Sequence, residues 1–459
     1  MTERCQLRIT RQDFEALSSW MFPGDQDEHG AVLLAGVSHR PGLLTLHVRE
    51  VHLATENVDY VEGKIGYRAL HPKFIHRLIT RARDERLAYL AVHNHPSDRS
   101  VSFSRIDLES HERGYPALLQ IARGMPVGAL VVGHRSAQVD VWTTDGQRLE
   151  LEEAVIVGNT IERLTTSPRR MPDGSSEEIF DRQIRLFGQL GQKRLQECRV
   201  GIVGLGGIGS ILAEYLARIG VGHFILVDPD VVELSNVSRL VGSSISDATT
   251  KVPKVEVAKR VILQGNPSAA IRPIQDDFAK ESVARQLTGV DYLFLAADSM
   301  RARLVFNALV HQYLIPGVQL GSKIRSSSQG IVIDVMSANR AVRPGYGCLW
   351  CNQLIDSTAL AREAKTDAER KAQAYGVDEP NPSVIALNAI SAAHAVNDFL
   401  LDFLGIRVEP EALTYEEFDL LKRTRRLVHP RKDAICTECS VEHGRYARGD
   451  SASLPSLEG

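Results

Sequence analysis

The sequence predicts an α+β domain followed by a doubly wound α/β domain, and three observations lead to this prediction. The chain has 459 residues, a length that suits two or three domains with substantial cores. An apolar run at 200–203 leads into Gly204, Gly206 and Gly209 and then into a helical apolar pattern, as in nucleotide-binding α/β units. Before residue 160, strand-like runs enclose a few helices, which favours α+β.

Composition and charge narrow the functional classes. The formal net charge of −3 gives no sign of a nucleic-acid or membrane surface. No apolar stretch is long enough to span a bilayer, and the first residues lack the pattern of a signal peptide. Four of the six cysteines fall in two C-x-x-C pairs, which fits a reducing compartment and a metal site better than disulfides. We therefore expect a cytoplasmic protein.

Local patterns predict the elements of residues 1–162. Helices are expected at RQDFEALSSWM and PKFIHRLITRARDERL, and strands at AVLLAGV, LLTLHVREV, LAYLAVH, ALLQIA, VGALVV and AQVDVW. The polar stretch 163–177 is rich in Ser, Thr, Pro and Gly and is predicted to be a flexible linker. The first domain should therefore end near residue 162.

A zinc site is predicted where the LAYLAVH strand ends. His93 and His95 leave the strand one residue apart, so both project to the same side, and Asp107 follows at the start of a helical run. Two imidazoles and a carboxylate are three zinc ligands, which leaves the fourth position open for a water molecule. Zinc lowers the pKa of that water to about 7. This chemistry needs a carboxylate base, for which Glu28 is the first choice and Glu50 the rival.

These residues resemble the JAMM (JAB/MPN) family of zinc isopeptidases, which cleave after the C-terminal glycine of ubiquitin-like proteins. The resemblance implies an MPN/JAB (cytidine-deaminase-like) α+β fold for residues 1–162. It also implies that Ser104, in S-x-x-D spacing with Asp107, stabilises the tetrahedral intermediate. Two alternatives stay open: a surface loop with incidental histidines, and an MPN domain that keeps the motif but is catalytically silent.

The glycine-rich turn predicts a nucleotide site in the second domain. Glycines at these spacings let the backbone approach a phosphate chain, and the following strand ends at Asp228, whose carboxylate can take ribose hydroxyls. The turn residues are Gly204, Gly206, Gly207 and Gly209. On this evidence alone a dinucleotide-binding dehydrogenase would be the default interpretation.

Residues further along favour a nucleoside triphosphate over a nicotinamide. Asn236, Arg239 and Lys254 place an amide and two cations just past the ribose carboxylate. Asp298 follows another apolar strand, a position that suits Mg²⁺ bridging phosphate oxygens. Arg182 lies on a predicted helix before the first strand of the domain.

This ordered set resembles the ThiF/MoeB/E1 family, which adenylates the C-terminal carboxylate of ubiquitin-like proteins. The resemblance covers residues 178–442 and implies a Rossmann-like adenylation domain that uses ATP and Mg²⁺, with Arg239, Lys254 and Asp298 as catalytic residues. It also implies a homodimer, in which Arg182 reaches the partner's nucleotide. The alternative for Arg182 is an ordinary surface ion pair.

The two C-x-x-C pairs predict a structural zinc site. Their cysteines are Cys348, Cys351, Cys436 and Cys439, a tetrahedral thiolate set that leaves no open position. The ThiF family carries the same pairs, and four unrelated buried thiols are the alternative. An apolar helix between the pairs suggests dimer packing, and residues 443–459 are expected to be disordered.

Together the two resemblances predict a bifunctional enzyme of a prokaryotic ubiquitin-like pathway, for example one encoded in a defence operon. The first domain would hydrolyse the bond after a modifier's C-terminal tail, and the second would adenylate the freed carboxylate. The expected partners are a β-grasp ubiquitin-like protein and an E2-like protein or sulfur donor. Cys5 and Cys198 are the cysteines left outside the zinc site, and we expect no stable thioester on the enzyme itself. Two rivals are sulfur-carrier activation for cofactor or cysteine synthesis, and a first domain that only docks the modifier.

Overall fold

The computed structural model describes residues 4–25, 27–61, 69–95, 97, 100–167, 178–327, 329, 331–363, 382–407 and 413–456. The chain divides into two compact units. The first unit comprises residues 1–171, 312–314 and 445–453, and the second comprises residues 172–311, 315–444 and 454–459. None of the helices in the described ranges is both long and apolar enough to cross a membrane.

The first unit is built on an eight-stranded sheet with the order β1-β3-β2-β4-β5-β6-β7-β8. An additional parallel pairing between β1 and β7 closes part of the sheet on itself. The strands are β1 (Arg4–Thr10), β2 (Gly30–Arg40), β3 (Leu43–Leu53), β4 (Ala88–Asn94), β5 (Val127–Val132), β6 (Ala137–Trp142), β7 (Arg148–Val157) and β8 (Ile161–Leu164). The helices are α1 (Arg11–Met21), α2 (Pro72–Glu85) and α3 (Arg105–Ala122).

Both faces of this sheet are buried because its side chains alternate between two cores. Leu33 of β2 packs in the core that α1 covers through Leu17. The neighbouring Val32 packs in the core that α2 and α3 cover, which includes Phe74 and Tyr115. The first unit is therefore an α+β fold with helices on either side of one sheet.

The predicted strand at ALLQIA is wrong, because these residues form the last turns of α3. Leu118, Leu119 and Ile121 pack against the core at helical spacing. A short apolar run does not distinguish a strand from a buried stretch of helix, and Pro116 just before it reads as a helix boundary although the helix continues through it.

The second unit is a doubly wound sheet with an antiparallel extension. The strand order is β11-β10-β9-β12-β13-β14-β15-β16, parallel from β11 to β13 and antiparallel beyond. The strands are β9 (Arg199–Val203), β10 (His223–Val227), β11 (Ala270–Ile274), β12 (Tyr292–Leu295), β13 (Gly317–Ser326), β14 (Val332–Val342), β15 (Tyr415–Asp419) and β16 (Thr424–Val428). The helices are α4 (Asp181–Glu197), α5 (Gly207–Arg218), α6 (Ile245–Thr249), α7 (Lys254–Gly265), α8 (Glu281–Ala284), α9 (Met300–Gln312), α10 (Ser357–Glu363) and α11 (Ile385–Phe403). Ligands bind such sheets outside the carboxyl ends of the central strands, here β9, β10 and β12.

The C-terminal segment differs from the disorder that its polar composition predicts. Residues 445–453 belong to the first unit, where Tyr446 is 3% exposed and donates a hydrogen bond to Asp13 at 3.2 Å. Arg448 forms an ion pair with Glu85 at 2.7 Å. One buried aromatic ring and a few specific bonds therefore order a segment whose average composition reads as disordered. The linker predicted at 163–177 lies mostly outside the described residues, and its first two residues end β8.

Candidate functional site

The first unit brings His93, His95 and Asp107 together at the end of β4. One ligand atom from each lies within 4.8 Å of the others. The Nε2 atoms of His93 and His95 are 3.6 Å and 4.0 Å from Oδ2 of Asp107. The two imidazoles reach the same side because alternate residues of a strand share a face, and α3 supplies the carboxylate from its first turn.

The hydrogen bonding of these side chains suits a metal ion. Nε2 of His93 is buried without a hydrogen-bond partner among the described residues, since the nearest Asp107 oxygen lies 3.6 Å away. Nδ1 of His95 is 3.1 Å from the carbonyl oxygen of Ser102, which selects the tautomer that leaves Nε2 as a lone-pair donor. Two imidazoles and one carboxylate with this geometry fit zinc.

Ser104 and Asp107 form a capping box that begins α3. The Ser104 hydroxyl accepts a hydrogen bond from the Asp107 amide at 3.2 Å, and the Asp107 carboxylate accepts one from the Ser104 amide at 2.8 Å. Burial raises the pKa of Asp107, but the contact with His93 and the bonds from Ser104 outweigh it and hold the pKa well below its usual range. The carboxylate is therefore ionised and aimed at the histidines.

Of the two carboxylates considered as the base, Glu28 is the one near the histidines. Its Oε1 lies 3.6 Å from Nε2 of His95, and burial raises its pKa. Glu50 is engaged elsewhere, with Arg81 at 2.7 Å and His52 at 2.8 Å. Burial raises the pKa of Glu50, but hydrogen bonds from His52 and Arg81 prevail and lower it to about 2. Glu50 is thus a paired structural anion.

In the second unit, close packing requires glycine in the turn between β9 and α5. Gly204 has a φ of +85°, and a Cβ there would lie 2.6 Å from the amide nitrogen of Ala297. A Cβ on Gly209 would lie 1.8 Å from the carbonyl oxygen of Gly204. By contrast, a Cβ on Gly206 would meet nothing within 4 Å. The turn is therefore tightly packed at Gly204 and Gly209. It is open at Gly206, next to the N-terminus of α5, where backbone amides can bind an anion.

Asp228 and Lys254 flank this turn. Asp228 at the end of β10 accepts hydrogen bonds from the amides of Leu205 at 2.6 Å and Asp230 at 2.9 Å, and burial raises its pKa. Lys254 begins α7, with Nζ 2.6 Å from Asp230 and 3.9 Å from Asp228. The lysine side chain is 12% exposed, so its charge is held close to the Asp228 carboxylate.

Arg239 and Asp298 also lie beside the glycine-rich turn. Cδ of Arg239 would be 3.5 Å from a Cβ on Gly207, and Nη1 donates to the carbonyl oxygen of Ser235 at 2.6 Å. Asp298 is exposed and follows Ala297, the residue that packs on Gly204. The turn, Asp228, Lys254 and Arg239 therefore form one cluster, and Asp298 adjoins it through its chain neighbour Ala297.

Two further predicted residues have no side-chain bond to that cluster among the contacts of the described residues, although the Arg239 amide donates to the Asn236 carbonyl oxygen at 2.9 Å. Asn236 makes local bonds, with Oδ1 accepting from the Glu233 amide at 3.3 Å. Arg182 is exposed on α4. These contacts alone do not indicate a function for Asn236 or Arg182.

Asn388 of α11 is a residue at this site that the sequence interpretation missed. Its Nδ2 atom would lie 2.2 Å from a Cβ on Gly207, and its Oδ1 accepts from the Ser322 hydroxyl at 2.8 Å. It is 2% exposed. The sequence feature that could have indicated Asn388 is an asparagine within an otherwise apolar helix, because a buried side-chain amide needs specific hydrogen-bond partners.

The four cysteines of the C-x-x-C pairs form one buried cluster. The sulfur of Cys348 lies 3.6 Å from Cys351 and 3.8 Å from Cys436, and Cys351 lies 3.6 Å from Cys439. The hydrogen bond from Cys439 lowers the pKa of Cys348 to about 6 against the effect of burial. The four sulfurs fit a tetrahedral zinc site with no open position.

The fold and the glycine-rich turn are those of a nucleotide-binding α/β protein, and the second unit also contains a buried cluster of four cysteines. Residues 180–440 match the ThiF family, and the chain belongs to this family. The match does not include residues 1–179, so the function of the first unit has to be inferred from the geometry of its own residues.

Several curated proteins are similar to this chain. The molybdopterin-synthase adenylyltransferase of Escherichia coli (strain K12) is 36% identical over 194 residues, which are 41% of this chain and 74% of that protein. The sulfur carrier protein ThiS adenylyltransferase of Bacillus subtilis (strain 168) is 32% identical over 273 residues, or 58% of this chain and 71% of that protein. The SAMP-activating enzyme E1 of Haloferax volcanii is 38% identical over 137 residues, or 29% of this chain and half of that protein.

Proposed function

We propose that the second unit uses ATP to adenylate the C-terminal carboxylate of a ubiquitin-like or sulfur-carrier protein. The observation that carries this proposal is the cluster of Asp228, Lys254 and Arg239 around the glycine-rich turn, with Asp298 adjoining it, in a chain of the ThiF family. The names of two relatives, molybdopterin-synthase adenylyltransferase and ThiS adenylyltransferase, support the same reaction.

In this proposal the residues of the cluster divide three tasks among them: nucleotide binding, charge stabilisation and metal binding. The amides at the start of α5 receive phosphate oxygens, and Asp228 accepts hydrogen bonds from the ribose hydroxyls. Lys254 and Arg239 stabilise the negative charge that develops on the α-phosphate while pyrophosphate leaves. Asp298 would hold Mg²⁺, which would supply positive charge to neutralise the phosphates. The carboxylate of the substrate attacks the α-phosphorus, so a poor electrophile becomes an acyl-adenylate with AMP as a good leaving group.

Cysteine burial bears on the fate of the adenylate. All six cysteines of the chain are buried, and Cys5 and Cys198 are 0% and 1% exposed. A thiol that accepts an acyl group must be accessible as a thiolate. We therefore propose that the adenylate passes directly to a thiol of a partner, either an E2-like protein or a sulfur donor.

We also propose a homodimer. Arg182 is exposed on α4 and is available to reach the nucleotide of a second protomer. Sedimentation equilibrium that gives a monomer under assay conditions would contradict this proposal.

For the first unit we propose a zinc-dependent hydrolase that cuts after the same C-terminal tail. His93, His95 and Asp107 would hold the ion, which supplies Lewis acidity and a water of lowered pKa when bound. Glu28 would take a proton from the attacking water and return it to the leaving amine, and Ser104 would donate a hydrogen bond to the oxyanion. The orphaned Nε2 of His93 is the observation that supports this assignment.

A pyrophosphate-exchange assay tests the adenylation proposal. The protein is incubated with ATP, labelled pyrophosphate and small β-grasp proteins encoded beside its gene, and exchange should require one of them. The same β-grasp protein with its C-terminal carboxylate converted to an amide is the control, since it lacks the reacting carboxylate. If no such protein stimulates exchange, or if NAD binds in preference to ATP, the proposal is wrong.

A cleavage assay tests the hydrolase proposal separately. The substrate is the β-grasp protein extended beyond its C-terminal glycine, and mild chelation should stop its cleavage while leaving pyrophosphate exchange intact. Zinc bound at the His93 site without cleavage of any such substrate would favour a docking module.

A further inference from the structure

Asn94 lies between the two histidines of the proposed metal site but projects to the opposite side of β4. Successive residues of a strand alternate between faces, so His93 and His95 share one face and Asn94 takes the other. Asn94 is 3% exposed, whereas the side chains of His93 and His95 are 19% and 26% exposed. The asparagine therefore cannot itself contact a substrate at the metal site.

The Asn94 side chain instead holds the segment that carries Glu28. Its Oδ1 accepts a hydrogen bond of 2.6 Å from the backbone amide of His29. The antiparallel pairing of β2 with β4 ends at Gly30 and His93, and the next pair along the ladder would be His29 and Asn94. The asparagine amide thus replaces a main-chain acceptor at the point where the chain leaves the sheet.

Two neighbouring bonds fix the rest of this segment. Nε2 of His29 lies 2.9 Å from Asp25, and the Gly30 amide donates to the Tyr60 hydroxyl at 2.8 Å. The Asn94 bond is a side-chain connection from this segment to the strand that bears the metal ligands, and it adds to the ladder pairing of Gly30 with His93. Glu28 is one residue beyond this bond, and its Oε1 lies 3.6 Å from Nε2 of His95.

We propose that Asn94 is a positioning residue that sets the distance between the base Glu28 and the metal ligands. The inference rests on the proposed hydrolase function. Removal of Oδ1 leaves the buried His29 amide without its acceptor. The segment that carries Glu28 then adopts several conformations instead of one. Only a fraction of molecules then hold Glu28 within reach of the water that it deprotonates, and catalysis falls in proportion.

The test compares Asn94→Ala with Asn94→Asp, which keeps an acceptor oxygen at the same place. Asn94→Ala should lower kcat/KM for tail cleavage about 10- to 100-fold, and Asn94→Asp should recover most of the loss. Zinc content should stay at the wild-type level in both variants. Hydrogen exchange at the His29 amide should be faster in Asn94→Ala and near wild type in Asn94→Asp.

A double-mutant cycle separates positioning of the base from general loosening. In a Glu28→Ala background, Asn94→Ala should have almost no further effect on the residual cleavage. Gln138→Ala is the matched control, because Gln138 also accepts a hydrogen bond from a backbone amide, that of Phe103 at 3.0 Å, on the segment that leads into α3. Its effect should be the same in both backgrounds.

Failure of this inference is distinguishable from failure of the proposed function. Unchanged His29 exchange in Asn94→Ala, loss of zinc from that variant, or an equal loss of cleavage in both backgrounds would overturn the role of Asn94. A wild-type protein that binds zinc but cleaves no tail would instead refute the hydrolase, and the positioning role would fall with it.

Discussion

Lys254→Ala should reduce adenylation strongly, because in the proposed site it removes a charge held beside the phosphates. Nζ of Lys254 lies 3.9 Å from the Asp228 carboxylate, and a phosphate oxygen at a similar distance gains about 4 kcal/mol at an effective dielectric constant of 20. Loss of one preorganised donor costs about 2.7–4 kcal/mol, or roughly 10²- to 10³-fold in rate. The two magnitudes agree, so we expect a fall of this size in kcat/KM for pyrophosphate exchange.

Lys259→Ala is the matched control for this variant. Lys259 lies on the same helix, is 39% exposed and pairs with Glu256 at 3.5 Å, so its removal should change exchange less than about twofold. Thermal unfolding of both variants checks that the fold is retained. Exchange by Lys254→Ala within tenfold of wild type would refute the reasoning, as would an equal loss in Lys259→Ala.

Three further results are expected. Cys348→Ser should lower the zinc content from two ions per chain to one and destabilise the second unit by several kcal/mol. The control Cys198→Ser should do neither. Equal zinc content in the two variants would contradict the proposed zinc site. Asp140→Asn should lower the free energy of unfolding by about 2 kcal/mol at pH 7, because burial raises the pKa of Asp140 but bonds from His111 and Arg148 hold it at about 2. This stabilisation is present above pH 4 or so and is lost as the pH falls toward 2, so a difference that does not vary with pH would exclude the linkage. Intact mass of enzyme incubated with ATP and modifier should show no thiol-sensitive adduct; one that disappears in Cys5→Ala or Cys198→Ala would make this a self-charging enzyme.

Local patterns predicted the parts of the fold that local physics determines. The spacing of Gly204, Gly206 and Gly209 indicates the strand–turn–helix because all three lie within six residues, and close packing requires glycine at positions 204 and 209. His93 and His95 were expected to share a face because strand periodicity alone requires it. The ThiF family assignment of the second unit rests on the same kind of signal, repeated in order along the chain.

Contacts between distant parts of the chain were not predictable in this way. Asn94 and its partner His29 are 65 residues apart, and Asn388 and Ser322 are 66 apart. No local pattern pairs them, since each hydrogen bond exists only after the strands and helices have packed. The choice between Glu28 and Glu50 as the base also depended on a distant contact. Glu50 forms an ion pair with Arg81, and the sequence does not show this pairing.

The first unit is assembled from separate stretches of the chain, and this affects the order in which the protein folds during translation. Residues 445–453 belong to that unit, although its main stretch ends at residue 171. At about 5–20 residues per second, a ribosome needs roughly 15–60 s to make the intervening chain. Until then Arg49 lacks the Tyr446 carbonyl to which it donates a hydrogen bond in the finished protein, and Glu85 lacks Arg448. The first unit therefore cannot be completed until residues 445–453 have been made, long after its main stretch.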